Sequence, residues 1–402
     1  MKRPSNLVSI TVADFIVRSG YQMGKTPLLP IFAATLGATD VFLGLIVSVS
    51  TLTGLLLKPT FGVLSDRWGR HGWLFVGTLF FIGIPFLYRF VHTPEQLLVL
   101  RLIHGLATAI YGPVSLAFVA EQAQQRRAEK LGYFGMARHG GYIVGPAAAG
   151  WLLLKMDPVE AFTLIGLLSS LALFPILLLA APAPSARIDH PPLPRQISEA
   201  IRSGAMTPSV WLAGGLEFTV FIVLYAARAF LPIYALSLGL SVALVGAFFA
   251  IQETSHLILR TACGRLGDYL GYFKAIALGM AVMAIALFLL NVVQGSFAFI
   301  ILAILIGGSQ AIIFPSTEAL MSAQVDQRYL GAGMGLIGML KNAGKIAGPI
   351  LGGFLVHELD FAQMFSCLSL LALAGAAGVW YWAHRWPASE YLARRETTWE
   401  AR

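Results

Sequence analysis

Twelve apolar segments, each long enough to cross a membrane, leave this chain almost no way to fold as a water-soluble globule. They fall at about 7–36, 40–61, 73–91, 95–120, 131–154 and 158–182, then at 209–238, 240–263, 273–294, 297–322, 331–356 and 360–384. Spanning the hydrocarbon core takes roughly 20 mostly apolar residues in a helix. Of the 402 residues only 12% are charged, against about 25% in a soluble protein. The 41 glycines agree with this, because small residues let membrane helices approach closely. The expectation is an all-α membrane protein of twelve transmembrane helices. Met1-Lys2-Arg3 precedes a run that holds Asp14, Arg18 and Lys25 and has no small-residue cleavage site, so it reads as a retained first helix.

The segments divide into two sets of six that repeat one another. LPIFAATLGATDVFLG at 29–44 aligns with LPIYALSLGLSVALVG at 231–246. At that offset of 202, Lys58 falls on Arg260, Gly62 on Gly264, Asp66 on Asp268 and Pro113 on Pro315. One residue later in register, Gly145-Pro146 falls on Gly348-Pro349. Six is even, so the two repeats run in the same direction and belong either side of an axis along the membrane normal, with a substrate site between them. The domains are expected at 1–182 and 209–384. A Pro-rich linker at 183–208 joins them, and a tail follows at 385–402.

The net charge of +8 is distributed by topology rather than gathered into a nucleic-acid patch. With the N-terminus in the cytoplasm, Arg67, Arg70, Arg126, Arg127, Lys130, Arg265, Lys274 and Arg328 lie inside with Lys2, Arg3, the linker arginines and the tail arginines. Only Arg89 and Lys155 fall near outer ends. That asymmetry places both termini of a multi-pass cell-membrane protein in the cytoplasm. Cys263 and Cys367 lie far apart in apolar segments, so neither a disulfide nor a metal cluster is expected.

Between the second and third segments runs Gly62-Val-Leu-Ser-Asp66-Arg67-Trp-Gly69-Arg70-His-Gly72. The pattern Gly62-x-Leu64-Ser65-Asp66-Arg67-x-Gly69-Arg70 resembles the signature loop of the major facilitator superfamily. Leu97-x-x-x-Arg101-x-x-His104-Gly105 resembles its fourth-helix motif, with histidine where glutamine is common. Gly141-x-x-x-Gly145-Pro146-x-x-Ala149-Gly150 resembles the fifth-helix motif associated with antiporters. Pro27-x-x-Pro30 and Gly344-x-x-x-Gly348-Pro349 are similar to the twelve-helix drug:proton antiporter branch. The resemblance spans nearly the whole chain and implies a monomeric secondary transporter in the bilayer, driven by protons and needing no cofactor.

The physics of these motifs is that of gating and packing. Gly62 and Gly69 permit a tight reversal. Asp66 suits the positive N-terminal end of a helix in the other half, expected near Gly331. Arg67 and Arg70 are expected to pair with Glu121, and Asp268 marks the weaker copy of this latch, where Tyr269 replaces the arginine. Arg67 and Arg70 as simple positive-inside anchors would need neither the aspartate nor the glycines. The Gly-Pro segments serve close packing and a fixed bend.

Intramembrane charge is costly, about 2.5–3.5 kcal/mol per residue at the bilayer centre, so several such residues belong to an interior site. Asp14, Arg18, Tyr21 and Lys25 form one helical stripe, and Glu217, Phe221, Leu224 and Arg228 repeat its spacing. The fourth segment adds Arg101 and His104 one turn apart, with His104 read as a hydrogen-bonded partner of Arg101. The eighth adds Gln252, Glu253 and His256, for which the first half has no charged counterpart at Thr51 or Gly54. Arg138 and His139 align with Lys341 and Asn342. Burial favours a protonated carboxyl and a nearby cation favours the carboxylate, a competition that proton coupling requires. Asp14 with Arg18 or Arg101 is one expected site, and Glu217 or Glu253 with His256 the other. A structural ion pair fixing the first helix is the plainer reading of Asp14. Glu318 is expected to pair with Arg328 or Lys345.

The leading expectation is proton-coupled efflux of small amphipathic compounds, with Phe15, Tyr21, Phe218, Phe221, Tyr225 and Phe249 lining an adaptable cavity. The alternative is carriage of an organic anion or metabolite, because the deep cations Arg18, Lys25, Arg101, Arg138, Arg228 and Lys341 outnumber Asp14, Glu217 and Glu253. No nucleophile elbow, zinc-spaced histidines or phosphate-binding loop points to an enzyme or an ATP-driven pump. A membrane sensor of the same fold would bind without moving its ligand.

Overall fold

The computed structural model describes residues 5–122, 126–180, 208–292, 295–324 and 330–385, with the side chains at 128, 208–210, 321–324, 330–335 and 385 outside that set. Nearly all of the linker and the tail, together with Lys2, Arg3 and Arg328, therefore fall outside the described residues. The described chain is helical throughout. In order run α1 (Asn6–Met23), α2 (Leu29–Thr35), α3 (Asp40–Trp68), α4 (Arg70–Leu87), α5 (Pro94–Gln122), α6 (Arg127–Leu152), α7 (Pro158–Ser170) and α8 (Leu173–Leu177). Then come α9 (Pro208–Ser237), α10 (Val242–Leu270), α11 (Tyr272–Leu289), α12 (Ser296–Gln324), α13 (Leu330–Glu358) and α14 (Phe361–Arg385).

Local chemistry marks the ends. Ser5 and Ser241 accept from the backbone N–H groups of Val8 and Leu244 and so cap α1 and α10. Asp157 and Glu160 form a capping box at the start of α7. Gly69 and Gly271 separate α3 from α4 and α10 from α11 at φ +85° and +88°, a backbone that other residues adopt only with strain. Between α1 and α2 the helix widens over Gly24–Leu28, and Thr26 leaves helical geometry altogether at φ −149°, ψ 122°. The residue before a proline is pushed out of the helical region, and Pro27 follows.

Among the described residues, nine helices are long and apolar enough to cross a membrane. The longer helices outside that set are α1, α6 and α13, which carry Asp14, Arg138 and Lys341. Their polar faces are hidden by packing. α1 lies against α6 and α9 against α13; α3 lies against α5 and α10 against α12. The most extensive contacts between residues 5–180 and residues 208–385 are α3 with α13 and α6 with α10.

Those two seams close through backbone contact. A Cβ added at Gly44 would collide with the Pro349 carbonyl, and one at Gly246 would meet the Pro146 carbonyl and come within 2.8 Å of Gly150 Cα. Gly353 lies equally tightly against the backbone of Asp40. All of these lie toward the end of the molecule marked by Asp40 and Ser241. At the opposite end, Gly62 and Gly69 have nothing among the described residues within 4 Å of the position a Cβ would take.

Candidate functional site

Among the described residues, three buried carboxylates organise the interior, and each is held by a cation from another helix. Asp14 is fully buried on α1, where Arg138 of α6 reaches it with two bonds, Nη2 to Oδ1 at 2.8 Å and Nε to Oδ2 at 3.1 Å. Arg18 approaches the same Oδ1 at 3.8 Å. Small residues allow this crossing: a Cβ at Gly141 would meet the Cβ of Arg18 at 2.8 Å, and one at Gly145 the Cβ of Gln22 at 2.6 Å.

Glu217 of α9 repeats the arrangement with α13. Lys341 Nζ stands 3.0 Å from its Oε2, and Thr317 Oγ1 donates to Oε1 at 2.9 Å. Gly344 and Gly348 pack against the backbone at Phe218 and Ile222 and bring the two helices together there. Glu253 of α10 is paired with Arg228 of α9, and His256 Nδ1 lies 3.8 Å from its other oxygen. The His256 ring meets His139 of α6 edge to face, with centroids 6.2 Å apart. That contact crosses from one half of the chain to the other.

Each expected site keeps one of its two offered pairings, Asp14 with Arg18 and Glu253 with His256, and loses the other. Arg101 is not a partner of Asp14. It is buried, 1% exposed, and donates to Ser50 Oγ while its Nη1 meets His104 Nδ1 at 3.4 Å. Tyr88 Oη reaches the same ring nitrogen at 3.1 Å, and Tyr21 packs edge-on against His104. Glu217 is not a partner of His256 either, because α13 supplies Lys341 on the near side. Spacing along one helix shows which residues share a face, whereas Arg138 and Lys341 come from helices more than a hundred residues away from Asp14 and Glu217. The alignment of Arg138 with Lys341 beside that of Asp14 with Glu217 was the available signal for both pairs.

Phe221 and Tyr225 form an aromatic shelf among the cations. Phe221 stacks on Phe314 with centroids 5.2 Å apart, and Lys341 and Lys345 stand over it at 4.9 and 4.8 Å. Lys25, Arg228 and Lys345 all surround the Tyr225 ring. Phe249 is buried beside Arg228. Phe15 packs toward Gly140. Phe218 lines an apolar groove of about 750 Å³ between α3, α9 and α13 that none of the central charged residues lines.

At the Asp66 end, Arg70 bridges Asp66 at 2.9 Å and Glu121 at 3.0 Å. Arg67 is exposed and makes no ion pair among the described residues. The expected seat of Asp66 near Gly331 falls on side chains outside the described set. Asp268 accepts from Tyr272 Oη at 3.3 Å, the tyrosine standing 202 residues after Arg70. Glu318 is bound by Arg260 at 2.9 Å rather than by Lys345, while Arg328 is outside the described residues.

A family model described as Major Facilitator Superfamily matches residues 15–252 and 216–399. An uncharacterized MFS-type transporter of Methanocaldococcus jannaschii is 25% identical over 92% of this chain and 96% of its own. Multidrug resistance protein 1 of Bacillus subtilis is 23% identical over 86% of this chain and 88% of its own. Among solved structures, a mutant of the nucleoside transporter NupG superposes with a TM-score of 0.82 at 14% identity, covering 94% of this chain and 99% of that one.

Proposed function

The chain belongs to the Major Facilitator Superfamily, as a multi-pass membrane transporter and not an enzyme, and from that premise we propose that it exports small amphipathic compounds in exchange for protons by alternating access. In this reading α1 with α2 and α7 with α8 each make one span, giving twelve in two parallel sets of six. Both termini lie in the cytoplasm of a cell-membrane protein that works as a monomer, with the proton gradient as its energy source and no cofactor. The seams at Gly44 and Gly246 then close the outer side, and the arrangement is one open to the cytoplasm. The relatives named multidrug resistance proteins support the direction and the substrate type.

The observation that carries the proposal is Glu253. It is a buried carboxylate held by Arg228, flanked by His256, and His256 in turn touches His139 of the other half. A carboxylate so placed trades a cation for a proton when the halves move apart, because the balance between burial and counter-charge shifts. Arg70, Asp66 and Glu121 all belong to the first half, so their cluster ties α3, α4 and α5 together in this inward-open arrangement, and the gating role rests on Asp66 meeting the other half when the cytoplasmic side closes.

The test is transport in proteoliposomes under an imposed pH gradient, with lumenal pyranine reporting protons and a panel of lipophilic dyes as substrates. Substrate-dependent proton movement is expected, and Glu253→Gln abolishes it. Absence of proton movement with any transported compound overturns the antiport reading.

A further inference from the structure

Lys25 and Lys345 reach one tyrosine ring from opposite halves of the molecule. Lys25 Nζ lies 5.1 Å and Lys345 Nζ 5.5 Å from the centre of the Tyr225 ring. Those two distances laid end to end keep the ammonium nitrogens within 10.6 Å of each other. Lys25 is 9% exposed. Among the described residues neither lysine has a carboxylate partner. The three interior carboxylates are already taken, Asp14 by Arg138, Glu217 by Lys341 and Glu253 by Arg228. Buried charges in a membrane protein are kept where they are paired or face a functional cavity. Here the missing partner is an anion.

The sequence pattern independently shows that the repeat supplies no acid at the position that would match Glu253. Lys25 corresponds to Arg228 at an offset of 203, and Arg228 is neutralised by Glu253. The position 202 residues before Glu253 is Thr51. The first half therefore keeps the cation of this pair and lacks its acid.

The backbone at Lys25 also has the form of a binding site. Gly24–Leu28 interrupts the first span, and all five residues are buried. Irregular backbone inside a membrane protein is tolerated where it is buried in protein or lines a cavity. Transporter sites commonly form at such broken helices.

Resting on the transport reading above, we propose that Lys25 and Lys345, both over the Tyr225 ring, bind the carboxylate, phosphate or sulfonate head of an amphipathic organic anion. Its apolar body lies on the shelf of Phe221 and Tyr225, whose rings are 5.8 Å apart. Because the two lysines come from different halves, the anion also draws those halves together. Substrate charge is thereby coupled to the conformational cycle.

Equilibrium dialysis of the full chain in lipid nanodiscs tests this with four probes sharing one aromatic body: naphthoate, naphthyl phosphate, naphthalenesulfonate and naphthylmethylamine. At least one of the three anions binds, and its affinity falls about tenfold in Lys25→Gln and in Lys345→Gln, as expected for losing one charged hydrogen-bond partner. Lys25→Arg retains binding, which separates loss of charge from loss of fold. The proposal is overturned if no anion binds, if both glutamine variants bind like the unaltered protein, or if the amine binds as tightly as the anions. The same preparations in the pyranine assay separate the two readings. Lysine-dependent anion binding without proton movement keeps the site and removes proton coupling. Proton-coupled dye export that is unchanged in both glutamine variants keeps the coupling and removes the site.

Discussion

Asp14 receives Arg138 as a two-point ion pair across α1 and α6, and 203 residues further on Glu217 receives Lys341 across α9 and α13. Each pair sits where glycines bring its two helices into backbone contact. The close approach and the charge pairing support each other: small residues bring the helices near enough for the ions to meet. The ions in turn satisfy groups that hydrocarbon would not tolerate.

Asp14→Asn therefore leaves the Arg138 guanidinium without its counter-charge. Breaking a buried pair from one side costs about 3–5 kcal/mol. Arg138 is 23% exposed, which places the expected loss toward the lower end. Thermal unfolding in detergent should show it, and the double variant Asp14→Asn/Arg138→Gln should recover part of the loss. Equal stability of single and double variants would show that the pair has no coupling energy.

Gly246→Val addresses the closed seam. The added side chain meets the Pro146 carbonyl and the Gly150 backbone, neither of which can turn away. Overpacking of this kind costs about 1–3 kcal/mol, a population shift of about 5–150-fold between two conformations. A cysteine introduced at Ala149, 1% exposed beside this contact, should react faster with an impermeant maleimide in the valine variant. An unchanged rate would mean that this seam does not set the conformational balance.

Asp66→Asn removes one of the two acids bridged by Arg70. Exposed pairs contribute about 0.2–1 kcal/mol, so the melting temperature should move little. Transport turnover should fall while equilibrium binding of a transported dye stays the same. A loss of binding equal to the loss of transport would contradict a gating role.

His256→Ala removes the ring that links Glu253 to His139 across the two halves. Glu253 keeps Arg228, so folding is preserved. Substrate-dependent proton movement in pyranine-loaded liposomes should fall relative to substrate transport. An unchanged ratio of the two would place the imidazole outside the coupling path.

Membrane character and the acidic and aromatic members of the interior site were legible without coordinates. Continuous apolar runs admit few other folds, and helical spacing put Asp14 with Arg18, and Glu217 with Phe221, on shared faces. The motif residues Arg70 and Glu121 were also legible as partners, and the two meet at 3.0 Å. That Arg138 joins Arg18 at Asp14, and that Arg260 rather than Lys345 binds Glu318, was not.

By itself, then, the sequence determined that this chain lives in a membrane, which family of transporters it joins, and which polar residues must turn inward, because hydrocarbon penalises each of them separately. Only the tertiary structure decided which charges neutralise one another. Pairing depends on which helices touch and at what height, a matter of glycine contacts and helix crossings that periodicity along one segment does not encode. It also decided which charges remain over. Lys25 and Lys345 emerge at the Tyr225 ring without an acid between them only once the two halves are laid side by side.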